Sequence, residues 1–144
     1  MGLIARAQWL IRRSPMSQWR RTLGELVEQG EAEVGWHAQS QSVADGDLRH
    51  AAAWARRVER ASKRFPTEPK CLPQAMALQW LLAKSEYPSI LMIAMQRDDN
   101  AADDAREHDF HAWVELGGHM LIGAVDRSHY RPVLSFAHPP SGAL

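Results

Sequence analysis

Residues 71–84, read from Cys71 to Lys84, have the period of a helix but almost no polar face. Leu72, Ala75, Met76, Leu78, Gln79, Leu81 and Leu82 surround nearly every side. A helix that is apolar all round has to be buried, so the rest of the domain must be built around it. Pro73 falls in its first turn, where a missing N–H is harmless. After this helix the period switches to two. Residues 89–96 read as a fully apolar strand, 97–107 as an acidic loop and 109–116 as a second strand. Gly117-Gly118 is a hairpin signal leading to a third strand over 119–125, and 130–136 reads as the last. Helices followed by an antiparallel sheet define an α+β fold.

Upstream of the buried helix the pattern is helical and then breaks. Residues 2–13 carry Leu3, Ala7, Leu10 and Ile11 on one face. Ser14 and Pro15 stop that helix and start another over about 15–29, with Ser14 as N-cap and Pro15 at the first helical position. The second helix carries Trp19, Leu23, Leu26 and Val27 and ends near Gly30. From Glu31 to Asp47 no period survives, which predicts a loop or linker. Asp45 or Asp47 caps a further helix carrying Leu48, Ala52, Ala55, Val58, Glu59 and Ser62. Pro66 and Pro69 end it and force an extended approach to Cys71. At 144 residues the chain holds one real core. The expected layout is a single domain, 1–144: helices and linker over 1–47, the core over 48–136, and a frayed tail over 137–144.

Charge and cysteine usage narrow the class. Seventeen basic and seventeen acidic side chains cancel, so no overall field favours nucleic acid. The balance hides an asymmetry. Residues 1–21 carry Arg6, Arg12, Arg13, Arg20 and Arg21 with no acid, whereas 98–109 carries Asp98, Asp99, Asp103, Asp104, Glu107 and Asp109. One cysteine cannot form an internal disulfide, which fits a reducing, cytoplasmic setting. The apolar stretch from Leu3 to Ile11 is interrupted by Arg6 and Gln8 and makes no secretory signal, and nothing approaches the roughly 18–20 apolar residues of a membrane span.

The single cysteine stands where a thiol becomes reactive. Cys71 opens the buried helix, and a helix N-terminus favours a thiolate. Lys70 adds positive charge, and unpaired first-turn N–H groups, that of Cys71 included, suit an oxyanion. The competing reading is a buried, inert thiol. Forty residues on, His111, Trp113 and Glu115 alternate with Phe110, Ala112, Val114 and Leu116. With the second set facing the core, His111 lies on a face expected to meet the Cys71 helix; the competing reading is a solvated strand histidine. His108, three residues away, makes no metal site with it at that spacing, and no second cysteine exists to complete a zinc site. Asp126, fifteen residues after His111, is returned towards it by the hairpin and suits the carboxylate that steadies an imidazolium. A strand-ending turn aspartate is the alternative, and Glu115 and Asp109 compete for the third position.

The run Cys71-Leu72-Pro73-Gln74-Ala75-Met76-Ala77-Leu78, an apolar strand, and then His111-Ala112-Trp113-Val114-Glu115 together resemble the transglutaminase-like leader peptidases of lasso-peptide biosynthesis, the B2 proteins. Leu121-Ile122-Gly123 and residues 130–136 resemble the family's C-terminal end, and Trp19-Arg20-Arg21 matches its N-terminal helices more loosely. The resemblance implies a minimal papain/transglutaminase-like core. Its nucleophile is Cys71, its base is His111, and its third member is Asp126. It implies removal of the leader from a ribosomally made lasso precursor peptide through an acyl-enzyme, with no metal and no cofactor. It also implies two further partners, a separate leader-recognition protein and an ATP-dependent lasso cyclase. Two departures concern the pocket: a basic residue is common where Gln74 stands, and a glycine-containing turn is usual where Ser85-Glu86-Tyr87 follows the helix. An acyltransferase and a non-catalytic peptide-binding module are the alternatives. The basic N-terminal residues Trp9, Arg12, Arg13, Trp19, Arg20 and Arg21 are expected to dock the recognition protein, against a reading as an ordinary solvated face.

Overall fold

The computed structural model describes residues 2–27, 43–66, 70–96, 110–123 and 129–137. In chain order these form α1 (Leu3–Arg13), α2 (Met16–Trp19), a 3₁₀ turn (Arg20–Leu23), β1 (Glu25–Val27), α3 (Asp45–Ser62), α4 (Cys71–Lys84), β2 (Ile90–Gln96), β3 (Phe110–Leu116), β4 (His119–Ile122) and β5 (Tyr130–Ala137). The expected acidic loop over 97–107 and tail over 137–144 lie outside the described residues, except for Ala137, which closes β5. Most of the expected linker does so too.

The strands form one antiparallel sheet in the order β1-β5-β2-β3-β4, and the α+β class expected from the sequence is what the chain adopts. Helix α4 is the hub. It packs on α1 and α3 and, through its other side, on β2 and β3, burying Ala75, Met76, Ala77, Leu78 and Leu82. The neighbours present matching apolar stripes: Ile4 and Ala7 from α1, and Ala51, Ala55 and Val58 from α3, whose spacing of three and four keeps them on one face. From the sheet, Leu91, Ala112, Val114, Leu116, Ile122 and Phe136 complete this core. A second apolar cluster of Ile90, Met92, Ala94, Trp113 and Ala137 occupies the opposite face.

One polar side chain sits inside the main core. Gln79 is fully buried, yet its amide nitrogen donates to the carbonyls of Leu23 (2.9 Å) and Phe136 (3.1 Å), while Ser89 Oγ donates to its Oε1 (2.8 Å). Satisfied in this way, it ties the 3₁₀ turn, α4 and β5 together.

Four local expectations are corrected. The helix expected over 15–29 ends at Leu23, because Gly24 adopts φ 116° and Glu25–Val27 pairs as a strand with β5. Pro15 is the N-cap of α2 rather than its first helical residue, and Ala44, not an aspartate, caps α3, leaving Asp45 and Asp47 in its first turn. Strand β4 ends at Ile122, where Gly123 turns the chain with φ 69°, and the rest of the expected strand, 124–125, lies outside the described residues. The Gly117-Gly118 hairpin is as expected: both residues have positive φ (59° and 78°), the geometry of a two-residue turn matched to strand twist.

Candidate active site

Cys71 is the first residue of α4, after Lys70 at the N-cap. Its thiol reaches the edge of β3 rather than either face of the sheet. The reason lies in β4, which is registered with β3 only from Val114 onward. Beyond that point no strand among the described residues pairs with the β3 edge, and the Ala112 N–H donates instead to Cys71 Sγ at 3.4 Å. A second backbone N–H, from Leu72, also points to the sulfur.

His111 arrives at the same edge and hydrogen-bonds the thiol. Its Nε2 lies 2.7 Å from the Gly123 carbonyl oxygen. A carbonyl only accepts, so Nε2 carries the proton, and Nδ1 is the nitrogen left to take the thiol's proton. This is the tautomer a general base for Cys71 requires.

The pair is tuned towards charge separation. Burial pushes the thiol up, but the hydrogen bond with His111, the Ala112 N–H, the imidazolium charge and the Leu72 N–H outweigh it and hold Cys71 below its ordinary value. His111 is raised by its hydrogen bond to Cys71; burial opposes this, and the Gly123 carbonyl and the thiolate charge reinforce it. Thiolate and imidazolium therefore persist together over a wider pH range than two isolated groups would allow. A half-buried thiolate beside an oriented imidazolium is a competent nucleophile for carbonyl carbon.

The structure brings Cys71 and His111 together, but not by the face expected. Ala112, Val114 and Leu116 do face the helices, and Trp113 lies in the opposite cluster. His111 shares Trp113's face, so it meets the thiol around the edge of β3 and not beneath α4. Glu115 is buried four residues along β3, opposite Ile90 and Met120. At about 3.4 Å per residue its backbone stands roughly 13 Å from that of His111, too far to orient the ring. Asp126 and Asp109 lie outside the described residues.

Sequence reasoning did not find the group that holds His111. Gly123 is that group, through its carbonyl. A Cβ there would stand 2.8 Å from the Ala112 carbonyl oxygen and 3.2 Å from His111 Nε2, on a backbone with φ 69°. A glycine immediately after a hairpin strand was the only signal in the sequence.

Trp19 is also corrected. At 6% exposure it belongs to the core and is not available to a partner, whereas Arg20 and Arg21 are exposed. Thr22 Oγ donates to the Trp19 carbonyl (2.7 Å) and accepts from Trp80 Nε1 (2.9 Å), fastening this turn to α4. Trp9, at 52%, is exposed on α1 beside Arg12 and Arg13. Among the described residues, no helix is long and apolar enough to cross a membrane.

Comparison with protein-family models matches residues 9–135, most of the chain, to one described as the transglutaminase-like superfamily. No curated protein and no solved structure matches.

Proposed function

Because the chain belongs to the transglutaminase-like superfamily, whose members are typically cysteine peptidases or acyltransferases, we propose that it is a cysteine peptidase that removes the leader from a ribosomally made lasso precursor peptide. The observation that carries the peptidase reading is the Cys71 thiol hydrogen-bonded to an imidazole whose other nitrogen is fixed by the Gly123 carbonyl. The leader assignment rests on the sequence runs Cys71–Leu78 and His111–Glu115, which resemble the leader peptidases of that system.

In this reading the Cys71 thiolate attacks the carbonyl carbon at the leader–core junction. A carbon–sulfur bond forms, and negative charge moves to the carbonyl oxygen. As the first residue of α4, Cys71 has no helical acceptor for its own N–H, which suits it to receive that charge. The intermediate collapses, the carbon–nitrogen bond breaks, and the His111 imidazolium gives its Nδ1 proton to the departing core amine. Water then attacks the leader thioester while His111 takes its proton, releasing the leader carboxylate and restoring the thiolate. Asp126, three residues beyond Gly123, is the proposed carboxylate stabilising the imidazolium. A separate recognition protein presents the leader, with exposed Arg20 and Arg21 as its proposed contacts, and an ATP-dependent cyclase takes the core.

The test is incubation of the purified chain with a lasso precursor and recognition protein, followed by mass spectrometry. Cleavage at the leader–core junction, lost in Cys71→Ala by about 10⁴-fold or more, supports the reading. Native-rate cleavage by Cys71→Ala overturns it. Transfer of the leader acyl group to an added amine in preference to water would move the assignment to an acyltransferase.

A further inference from the structure

The imidazole of His111 has aromatic neighbours as well as polar ones. Its ring centroid lies 5.6 Å from that of Tyr130 and 6.0 Å from that of Trp113, with interplanar angles of 38° and 33°. Tyr130 and Trp113 lie 6.0 Å apart at 69°, so the three rings form a closed triangle. Trp113 follows two residues later on β3 and shares the face. Tyr130 has no such reason to be near. It belongs to β5, and β2 lies between the two strands, so the backbones of β3 and β5 stand roughly 9.5 Å apart.

The rings meet because of what β2 places between them. Ala94 is opposite His111 on one side and Pro132 on the other, and it is fully buried. A methyl group leaves the space above β2 open to rings leaning in from both sides. Tyr130 stands opposite Gln96, one pleat further along, and leans over Ala94 towards the imidazole.

We propose that Trp113 and Tyr130 are positioning residues, which pack the His111 ring over Ala94 and hold it between the Cys71 thiol and the Gly123 carbonyl. The inference rests on the Cys71–His111 reading above. Two hydrogen bonds fix the ends of the imidazole but leave it free to rock about the line joining them. Aromatic faces at 5.6 and 6.0 Å remove that freedom, and a π face within about 6 Å of a cation also attracts the protonated ring. Among the described residues, the titratable groups meeting the imidazole are Cys71 from α4 and Tyr130 from β5.

The experiment follows the rate of Cys71 alkylation by iodoacetamide against pH in wild type, Tyr130→Phe, Tyr130→Leu and His111→Ala, with thermal midpoints alongside. Tyr130→Phe keeps the ring and is expected to track wild type. Tyr130→Leu is expected to raise the apparent thiol pKa by about one unit and slow alkylation roughly tenfold below it, with the fold intact. If His111→Ala moves the profile and Tyr130→Leu does not, the positioning role is overturned while the Cys–His pair stands. If His111→Ala leaves the profile unmoved, the pair itself is refuted and this inference goes with it. Should Tyr130→Leu fail to fold, the wild-type NMR spectrum decides: His111 ring protons shifted upfield by both aromatic neighbours support the triangle, and shifts of an unstacked imidazole overturn it.

Discussion

Replacing Gly123 with alanine separates the two demands made on that residue, and Gly118 supplies the control. Both have positive φ, 69° and 78°, and a Cβ at Gly118 would meet nothing within 4 Å. Gly118→Ala therefore carries only the left-handed backbone cost of about 1–2 kcal/mol, offset by the roughly 0.4–1 kcal/mol gained from a stiffer unfolded chain. A net loss of about 0.5–1 kcal/mol is expected there. At Gly123 the new Cβ also stands 2.8 Å from the Ala112 carbonyl oxygen, a backbone atom of β3 that cannot swing aside. Relieving such a contact costs about 1–3 kcal/mol more. At about 2–4 °C per kcal/mol for a chain near this size, the thermal midpoint of Gly123→Ala should fall several degrees below that of Gly118→Ala. Function should fall further still. The same Cβ lies 3.2 Å from His111 Nε2 and moves the carbonyl now 2.7 Å from it, and a displacement approaching 1 Å in a catalytic group costs on the order of 10²-fold. Thermal unfolding and iodoacetamide alkylation at neutral pH measure the two effects. Equal behaviour of the two alanine variants in both assays would refute the reasoning.

Gln79→Leu should cost about 2–4 kcal/mol in denaturant unfolding, because the buried carbonyls of Leu23 and Phe136 lose their shared donor; a loss under about 0.5 kcal/mol would contradict the account of this hub. Asp126→Asn, compared with Glu115→Gln and Asp109→Asn, should be the one that strongly slows cleavage. A silent Asp126→Asn beside a severe Asp109→Asn would move the third position. Reversing Arg12, Arg13, Arg20 and Arg21 together should weaken association with the recognition protein and its salt dependence at little cost in stability. An unchanged dissociation constant would reduce these residues to ordinary solvation.

What was legible in the sequence was what short-range pattern carries. The all-round apolar composition of 71–84 announced a buried helix, and Gly117-Gly118 announced a tight turn, because each depends on its own residues. Cys71 and His111 were legible for the same reason, one opening a helix and the other alternating along a strand. Misreadings occurred where distant chain decides. Glu25–Val27 follows a helical segment, but Gly24 breaks it and β5 recruits the next three residues as an edge strand. Trp19 sits among arginines in sequence, yet the 3₁₀ turn that follows it docks on α4 and carries the indole inward. The Gly123 carbonyl was invisible because every residue has one; only the close approach of two backbones selects it. The meeting of thiol and imidazole around a strand edge depends on where β4 stops, which the alternation of β3 does not encode.

The most direct measurement of the central claim is the pH dependence of Cys71 alkylation in wild type and in His111→Ala, made clean by the presence of a single cysteine. In wild type the thiol titrates below its ordinary range, and the thiolate survives to lower pH than in a free cysteine. Removing the imidazole deletes both of its lowering influences and leaves burial opposed only by the Ala112 and Leu72 N–H groups. The thiol should then move up, with alkylation at neutral pH falling roughly tenfold. A wild-type thiol that titrates at or above the ordinary value, unmoved by His111→Ala, would contradict the account.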